Sequence, residues 1–205
     1  MLTKSDLAAF RQCPRRLWLE KHAPEKADPG TPSGWRRARD GAIVGEKARE
    51  LLGANLIWPR FQASPEVACR KALELLAANP TVPGVEVPLM RDELYARVDA
   101  LIPDDGAYVL QETKASTFPL TSDKLRAGKP DEHLLDDIAI QLWVLAGVRL
   151  PIRRAELNLL DNQWRYPGAG DYRGLFRSLA MDNSIQDRVN QVPQWLAAAR
   201  QTLTE

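Results

Sequence analysis

Asp99, Glu112 and Lys114 are the residues whose types and spacing carry the most chemistry in this chain. They fall on two strand-like runs, one from Leu94 to Ile102 and one from Ala107 to Lys114, with Pro103-Asp104-Asp105-Gly106 between them. Pro, Asp and Gly between runs rich in Leu, Val and Ile signal a hairpin. Side chains on a strand alternate faces, so Glu112 and Lys114 share one face. A turn at 103–106 or 104–105 pairs 102 with 107, or 103 with 106, and either way sets Asp99 opposite Leu110. Opposed residues point the same way, so Asp99 joins the face of Glu112 and Lys114.

Two carboxylates and an ammonium on one side of a hairpin suit a divalent metal and a phosphodiester. Hydrolysis of that ester needs a deprotonated water, a counter-charge and in-line geometry, all of which bound Mg²⁺ can supply. Mg²⁺ takes hard oxygen ligands and keeps several waters, so one or two protein carboxylates suffice. Asp99 and Glu112 would provide them, and the Thr113 backbone carbonyl is a further candidate ligand. Lys114 would orient the attacking water or offset charge in the transition state. Glu-x-Lys alone is weak evidence, because exposed strands often carry solvated charges. The joint pattern with Asp99 and a following helix that holds Gln141 is more specific.

Several elements must position these residues. Leu2 to Cys13 reads as a helix with Thr3 as N-cap and Asp6 three residues on. Pro14 interrupts it, and a helical pattern resumes over Arg15–Lys21. Residues 23–34 read as a loop, Trp35–Leu52 as a helix, and Ser64–Ala78 as a helix with Ser64 capping and Pro65 in its first turn. Val85–Leu89 is a strand before the hairpin. Residues 116–130 read as a polar loop and Asp131–Gly147 as the strongest helix. Arg154–Leu160 is expected to be a strand, and Tyr172–Met181 and Ile185–Leu203 helices. The pattern predicts an α/β fold with a mixed sheet covered by helices and a crossover helix after the hairpin.

The 205 residues fit one domain or at most two small ones, and 44% hydrophobic with 27% charged residues is an ordinary globular balance. A formal net charge of +1 excludes a generally basic nucleic-acid binder, so such contacts must be local. Two cysteines are too few for a disulfide scaffold. No long apolar run is present, so we expect no membrane association and a cytoplasmic location.

The order Asp99, Glu112-Thr113-Lys114, then Gln141-Leu142-Trp143 resembles the PD-(D/E)XK nuclease superfamily in its RecB-like branch. The opening Leu2-Thr3-Lys4-Ser5-Asp6 and Cys13-Pro14-Arg15-Arg16-Leu17-Trp18-Leu19 are similar to the same branch, especially to CRISPR-associated RecB-like nucleases. The resemblance covers roughly residues 1–160. It implies a restriction-endonuclease-like core in a single domain spanning 1–205, with a helical part over 1–80, a catalytic sheet core over 84–162 and C-terminal helices over 170–205. It implies Asp99 and Glu112 as ligands of Mg²⁺ or Mn²⁺, Lys114 as catalytic lysine and Gln141 in support of the site or the DNA. It implies DNA as partner and substrate, with protein partners in a repair or CRISPR/defence complex. The branch often adds a ligand from a Gly-x-x-x-His helix. The matching stretch, Gly41 to Glu46, has no His, and Glu46 stands one position on, either as a ligand or as a solvated helix residue. Leu145 stands where the branch carries an aromatic residue, with Trp143 nearby.

Some relatives hold an iron–sulfur cluster on four cysteines, but no cysteine follows Cys69 here, so no cluster is expected and Cys13 is expected to be packed in the core. Arg15, Arg16, Lys21, Arg36, Arg37 and Arg39 are either phosphate contacts or a solvated face. Trp18, Trp35 and Trp58 are expected to pack, with stacking on unpaired bases as the other reading. His22 and His133 read as structural. No phosphate-binding glycine loop is present. The expected activity is a metal-dependent deoxyribonuclease. The alternatives are a catalytically weak or inactive nucleic-acid-binding or assembly module with the same fold, and an enzyme on another substrate.

Overall fold

The computed structural model describes residues 1–59, 64–117, 132–181 and 185–204. The chain opens with strand β1 (Leu2–Thr3), then helices α1 (Lys4–Gln12), α2 (Pro14–His22), α3 (Pro32–Leu51) and α4 (Pro65–Ala78). Strands β2 (Gly84–Arg91), β3 (Leu94–Asp104) and β4 (Ala107–Thr117) follow. Helix α5 (Glu132–Gly147) leads to β5 (Ile152–Leu160), β6 (Phe176–Ala180) and α6 (Ile185–Thr202). The strands form one mixed sheet. β2, β3 and β4 are successively antiparallel, β5 runs parallel to β4, and β6 returns antiparallel on β5. The fold is therefore α/β, a central mixed sheet flanked by helices, as expected. No helix among the described residues is long and apolar enough to cross a membrane.

The hairpin turn lies one residue later than the sequence suggests. Asp104 pairs with Ala107, leaving Asp105 (φ 48°) and Gly106 (φ 76°) as a two-residue turn. Positive φ at both central positions is the signature that Asp-Gly favours, because its twist matches that of the strands. The register is Leu101 to Leu110 and Ala100 to Gln111, and its next step sets Asp99 against Glu112 rather than Leu110. Asp99 keeps the predicted face but moves two positions closer to the second carboxylate.

The sheet forks at this point. β2 occupies one edge of β3 from Leu94 to Leu101. On the other edge, β4 pairs only as far as Ala100–Gln111, and β1 takes up parallel pairing at Leu94 and Tyr95. The stretch of β3 between them, which holds Asp99, lacks a ladder partner on that edge. β4 continues along β5 instead, pairing Glu112, Thr113 and Lys114 with Leu157, Asn158 and Leu159. The Thr113 N–H donates to Asp99 Oδ2 at 3.2 Å, which replaces the missing ladder acceptor with a side chain.

Other differences have local causes. Leu2–Thr3 is a strand, and the helix starts at Lys4 behind a capping box. In it Asp6 N donates to Thr3 Oγ1 (3.1 Å) and Thr3 N to Asp6 Oδ2 (2.9 Å). The helix expected over Tyr172–Met181 is instead the turn leading into β6. Its apolar residues pair with the outer edge of β5, which would otherwise be an open edge. Among the described residues the C-terminal region thus holds one helix, α6. Residues 116–117 belong to β4, and the rest of the expected loop lies outside the described residues. Cys13 is exposed rather than packed, because it sits between α1 and α2 in extended conformation as the N-cap of α2. Trp35 (62%) and Trp58 (46%) are also exposed rather than packed, since each stands on a solvent-facing side of its segment.

Helix α5 is pinned across the sheet end. Arg91 Nη1 donates to the Trp143 carbonyl at 2.8 Å, and its guanidinium lies 4.1 Å from the Trp143 ring centre. Leu134, Ile138, Val144 and Leu145 of α5 are buried in the core with Leu110 and Leu157 of the sheet.

The capping box is expected to contribute measurably. Thr3→Ala removes one of its two bonds and should lower the unfolding free energy by about 1 kcal/mol, read by urea titration. An unchanged midpoint would show that β1 alone fixes the start of α1.

Candidate active site

Glu112 is the centre of the cluster and is 1% exposed. Its Oε1 is 2.7 Å from Lys114 Nζ, and its Oε2 is 3.5 Å from Lys4 Nζ. Gln141 of α5 donates through Nε2 to Oε2 of the same carboxylate. Asp137, one turn earlier on α5, accepts from both lysines, at 3.0 Å from Lys4 and 2.6 Å from Lys114. Two ammoniums and two carboxylates therefore alternate at the fork, with Asp99 at its edge.

Each group comes from a rigid element. Lys4 is the first residue of α1, set by the capping box and by the pairing of β1 with β3. Glu112 and Lys114 share one face of β4, two residues apart. Asp137 and Gln141 are four apart on α5, so they lie on one helix face. Gln141 is fully buried; its Nε2 also lies 3.4 Å from the Asp137 carbonyl, and its Oε1 has no hydrogen-bond partner among the described residues. On the strand's other face, Thr113 Oγ1 accepts from Asn158 Nδ2 at 3.4 Å, and Ser178 donates to Asn158 Oδ1 at 3.3 Å.

Burial raises the Glu112 carboxyl to about 7, with the charges of Asp99 and Asp137 adding to it and those of Lys4 and Lys114 opposing it. Burial works the same way on Asp137, but Lys4 and Lys114 outweigh it and hold that carboxyl down at about 2. Burial disfavours the charge on Lys114, yet Glu112 and Asp137 outweigh it and push its ammonium above the ordinary value. Lys4 is raised by the same balance, burial against Glu112 and Asp137.

Two cavities meet at Asp99 and Thr113. One, of about 810 Å³, lies between α1, α5 and the hairpin, and is lined by Lys4, Glu112, Lys114 and Asp137. The other, of about 340 Å³, lies under α3 and is lined by Gly45, Arg49 and Glu86. Arg49 lies 3.4 Å from Glu86 and 5.1 Å from the Trp58 ring centre.

The structure brings together four of the expected residues, Asp99, Glu112, Lys114 and Gln141, with Thr113 beside them. Glu46 is exposed on α3 and lines neither cavity; its neighbours Gly45 and Arg49 face Asp99 instead. Lys4 and Asp137 join the site without having been singled out for it. The only sequence signals were the position of Lys4 in the opening motif and the four-residue spacing of Asp137 from Gln141. His133 lines the larger cavity from an exposed position. Of the basic residues, Arg16 lies 2.7 Å from Glu20, Lys21 is 2.8 Å from Asp6, and Arg15, Arg36 and Arg37 are exposed.

Among the described residues, no three His, Cys, Asp or Glu side chains are placed to hold a metal ion together. A hard dication that retains waters needs only one or two carboxylates, and Asp99 and Glu112 present oxygen donors to one shared cavity. Asp99 makes no ion pair among the described residues. The donor set thus fits Mg²⁺ or Mn²⁺ in type, with Glu112 available once its bonds to the lysines rearrange.

No family model matches the sequence, and no curated protein is significantly similar to it. Solved structures resemble it in layout. An alkaline exonuclease from Laribacter hongkongensis is 12% identical over 99% of this chain and 89% of its own, with a TM-score of 0.49. The protein SSO0001 is 16% identical over 96% and 75%, with a TM-score of 0.47. A phage-related exonuclease from Haemophilus somnus 129PT is 10% identical over 86% and 88%, with a TM-score of 0.36.

Glu112 holds its proton in the folded chain up to about pH 7, while the unfolded chain releases it near pH 4.5. Its contribution to stability is full below about pH 4.5 and is lost as pH rises through 7. Asp137 acts oppositely, stabilising above its unfolded value and losing that effect as pH falls towards 2. Glu112→Gln mimics the protonated side chain, so it should gain stability relative to the parent chain between pH 5 and pH 8 in urea titrations. A difference independent of pH would show that Glu112 is ionised throughout.

Proposed function

We propose that this chain is a metal-dependent nuclease that hydrolyses DNA phosphodiester bonds, in the RecB-like branch of the PD-(D/E)XK superfamily. One observation carries the reading: Asp99, Glu112 and Lys114 line one cavity beside the fork in the sheet. Asp99 and Glu112 are the proposed ligands, with the Thr113 carbonyl as a third. Mg²⁺ or Mn²⁺ held there would polarise the phosphate and acidify a bound water.

The chain's own groups divide the remaining work. Lys114 keeps its proton firmly, so it is a donor and counter-charge rather than a base. It would hold the attacking water or offset the charge that develops on phosphorus. Asp137 keeps Lys114 extended towards the fork at 2.6 Å. Gln141 fixes the Glu112 carboxylate by donating to Oε2, and the ligand role would require the lysines to turn from that carboxylate to the phosphate.

A second reading has its own support. Both oxygens of Glu112 already meet lysine, so the cluster can act as a closed ion-pair plug in a nucleic-acid-binding module without turnover. Metal titration by calorimetry separates the two. The nuclease reading expects Mn²⁺ binding that Glu112→Ala loses, whereas the module expects none in either protein.

On linear and circular DNA with Mn²⁺, Asp99→Ala should abolish cleavage. Lys114→Ala should slow it by about 100-fold or more. Circular dichroism should be unchanged in both. Wild-type protein that cuts neither single- nor double-stranded DNA would sink the nuclease reading.

A further inference from the structure

The loop between β5 and β6 carries three aromatic rings that neither the core nor the carboxylate cluster uses. Trp164, Tyr166 and Tyr172 lie with ring centres 5.2–5.9 Å apart. Tyr166 is 52% exposed, and the other two are half-buried. The loop is closed by its own bonds. Asp161 N donates to the Leu175 carbonyl at 2.9 Å, Trp164 Nε1 to the Arg173 carbonyl at 3.0 Å, and Gly170 N to the Tyr166 hydroxyl at 2.7 Å. A loop so tied presents its rings at little further cost in conformational entropy.

Two features indicate what covers it. Lys47 of α3 lies 4.7 Å from the Tyr172 ring centre and 2.6 Å from Glu50, and Arg165 is exposed beside Trp164, so the rings are flanked by two cations, one of them paired with an acid. The loop also leaves β5 at Leu160, next to Lys114–Leu159, at the same end of the sheet as the fork. Lys47 is about 200° around α3 from Gly45, which lines the Asp99 cavity. α3 therefore stands between the rings and that cavity.

We propose that the cluster of Trp164, Tyr166 and Tyr172, with Tyr166 as its exposed ring, forms a base-stacking platform for a single-stranded polynucleotide. The inference deepens the nuclease reading and rests on it for the choice of a polynucleotide as the ligand. An unpaired base exposes a face that stacks on aromatic rings, and a paired base does not. With a net charge of +1 and two flanking cations, stacking rather than phosphate attraction must supply most of the affinity.

The test is fluorescence anisotropy of labelled oligothymidylate and oligouridylate on the full chain in EDTA, with the thymidylate–adenylate duplex alongside. Binding of the single strand in preference to the duplex is expected, and the two single strands tell whether the sugar matters. Tyr166→Ala should weaken binding roughly tenfold, the loss of about one stacked base. Tyr166→Phe, which keeps the ring but gives up the bond from Gly170, should bind as the parent does. Log affinity should fall with log salt by only about 0.7 per phosphate contact. Absence of binding, equal affinity for duplex, or full affinity in Tyr166→Ala overturns the platform. Cleavage assays with Mn²⁺ on the same proteins judge the nuclease reading separately: cleavage with unaltered Tyr166→Ala binding removes the platform alone, and ring-dependent binding without cleavage removes the nuclease alone.

Discussion

The carboxylate of Glu112 has almost no contact with solvent, and the surrounding architecture follows from what that requires. A buried anion is tolerated only if it is paired and hydrogen-bonded, or if it takes up a proton. Here both responses are present. Lys114 meets it from its own strand and Lys4 and Gln141 from two helices distant in sequence, while its proton affinity is raised by burial and by the neighbouring acids. Removal of one partner would leave a charge without compensation, so α1, β4 and α5 are held in mutual register by this one group.

The fork in the sheet gives that cluster room. A continuous β3–β4 ladder would bring the backbones together along their whole length and leave no cavity at Asp99. The early end of the ladder, with β1 taking over further along, opens space between the strands. The backbone donor freed at Thr113 is accepted by Asp99 itself. The same acid thus repairs the sheet and faces the cavity, which ties the local fold to the proposed chemistry.

α3 separates two environments. Its Gly45 and Arg49 side looks onto Asp99, and its Lys47 side meets the aromatic loop. Small residues at 41, 42 and 45 allow the helix to lie near the strands without large side chains filling the space. The chain carries little net charge, and many of its arginines and lysines are already paired with acids. Rings and a few local cations are then the means left to it for holding a polyanion.

The sequence by itself determined most of the elements and singled out the central acids. Period-two patterning made β3 and β4 legible, the Thr3–Asp6 and Ser64-Pro65 signals marked helix starts, and the spacing of Asp99, Glu112 and Lys114 set their common face. These are local properties, fixed by alternation and by capping chemistry within a few residues. Lys4 and Asp137 were not legible as site residues, because an ammonium at a helix start and an acid on a helix are ordinary surface residues until burial joins them. The Asp105-Gly106 turn, the strand at Phe176–Ala180 and the exposure of Cys13 also depended on tertiary context. A strand forms at 176–180 because the edge of β5 needs a partner, and Glu112 meets two lysines because a fork formed beside it. Local pattern encodes which face a side chain takes, but only packing of segments far apart in the chain decides what waits on that face.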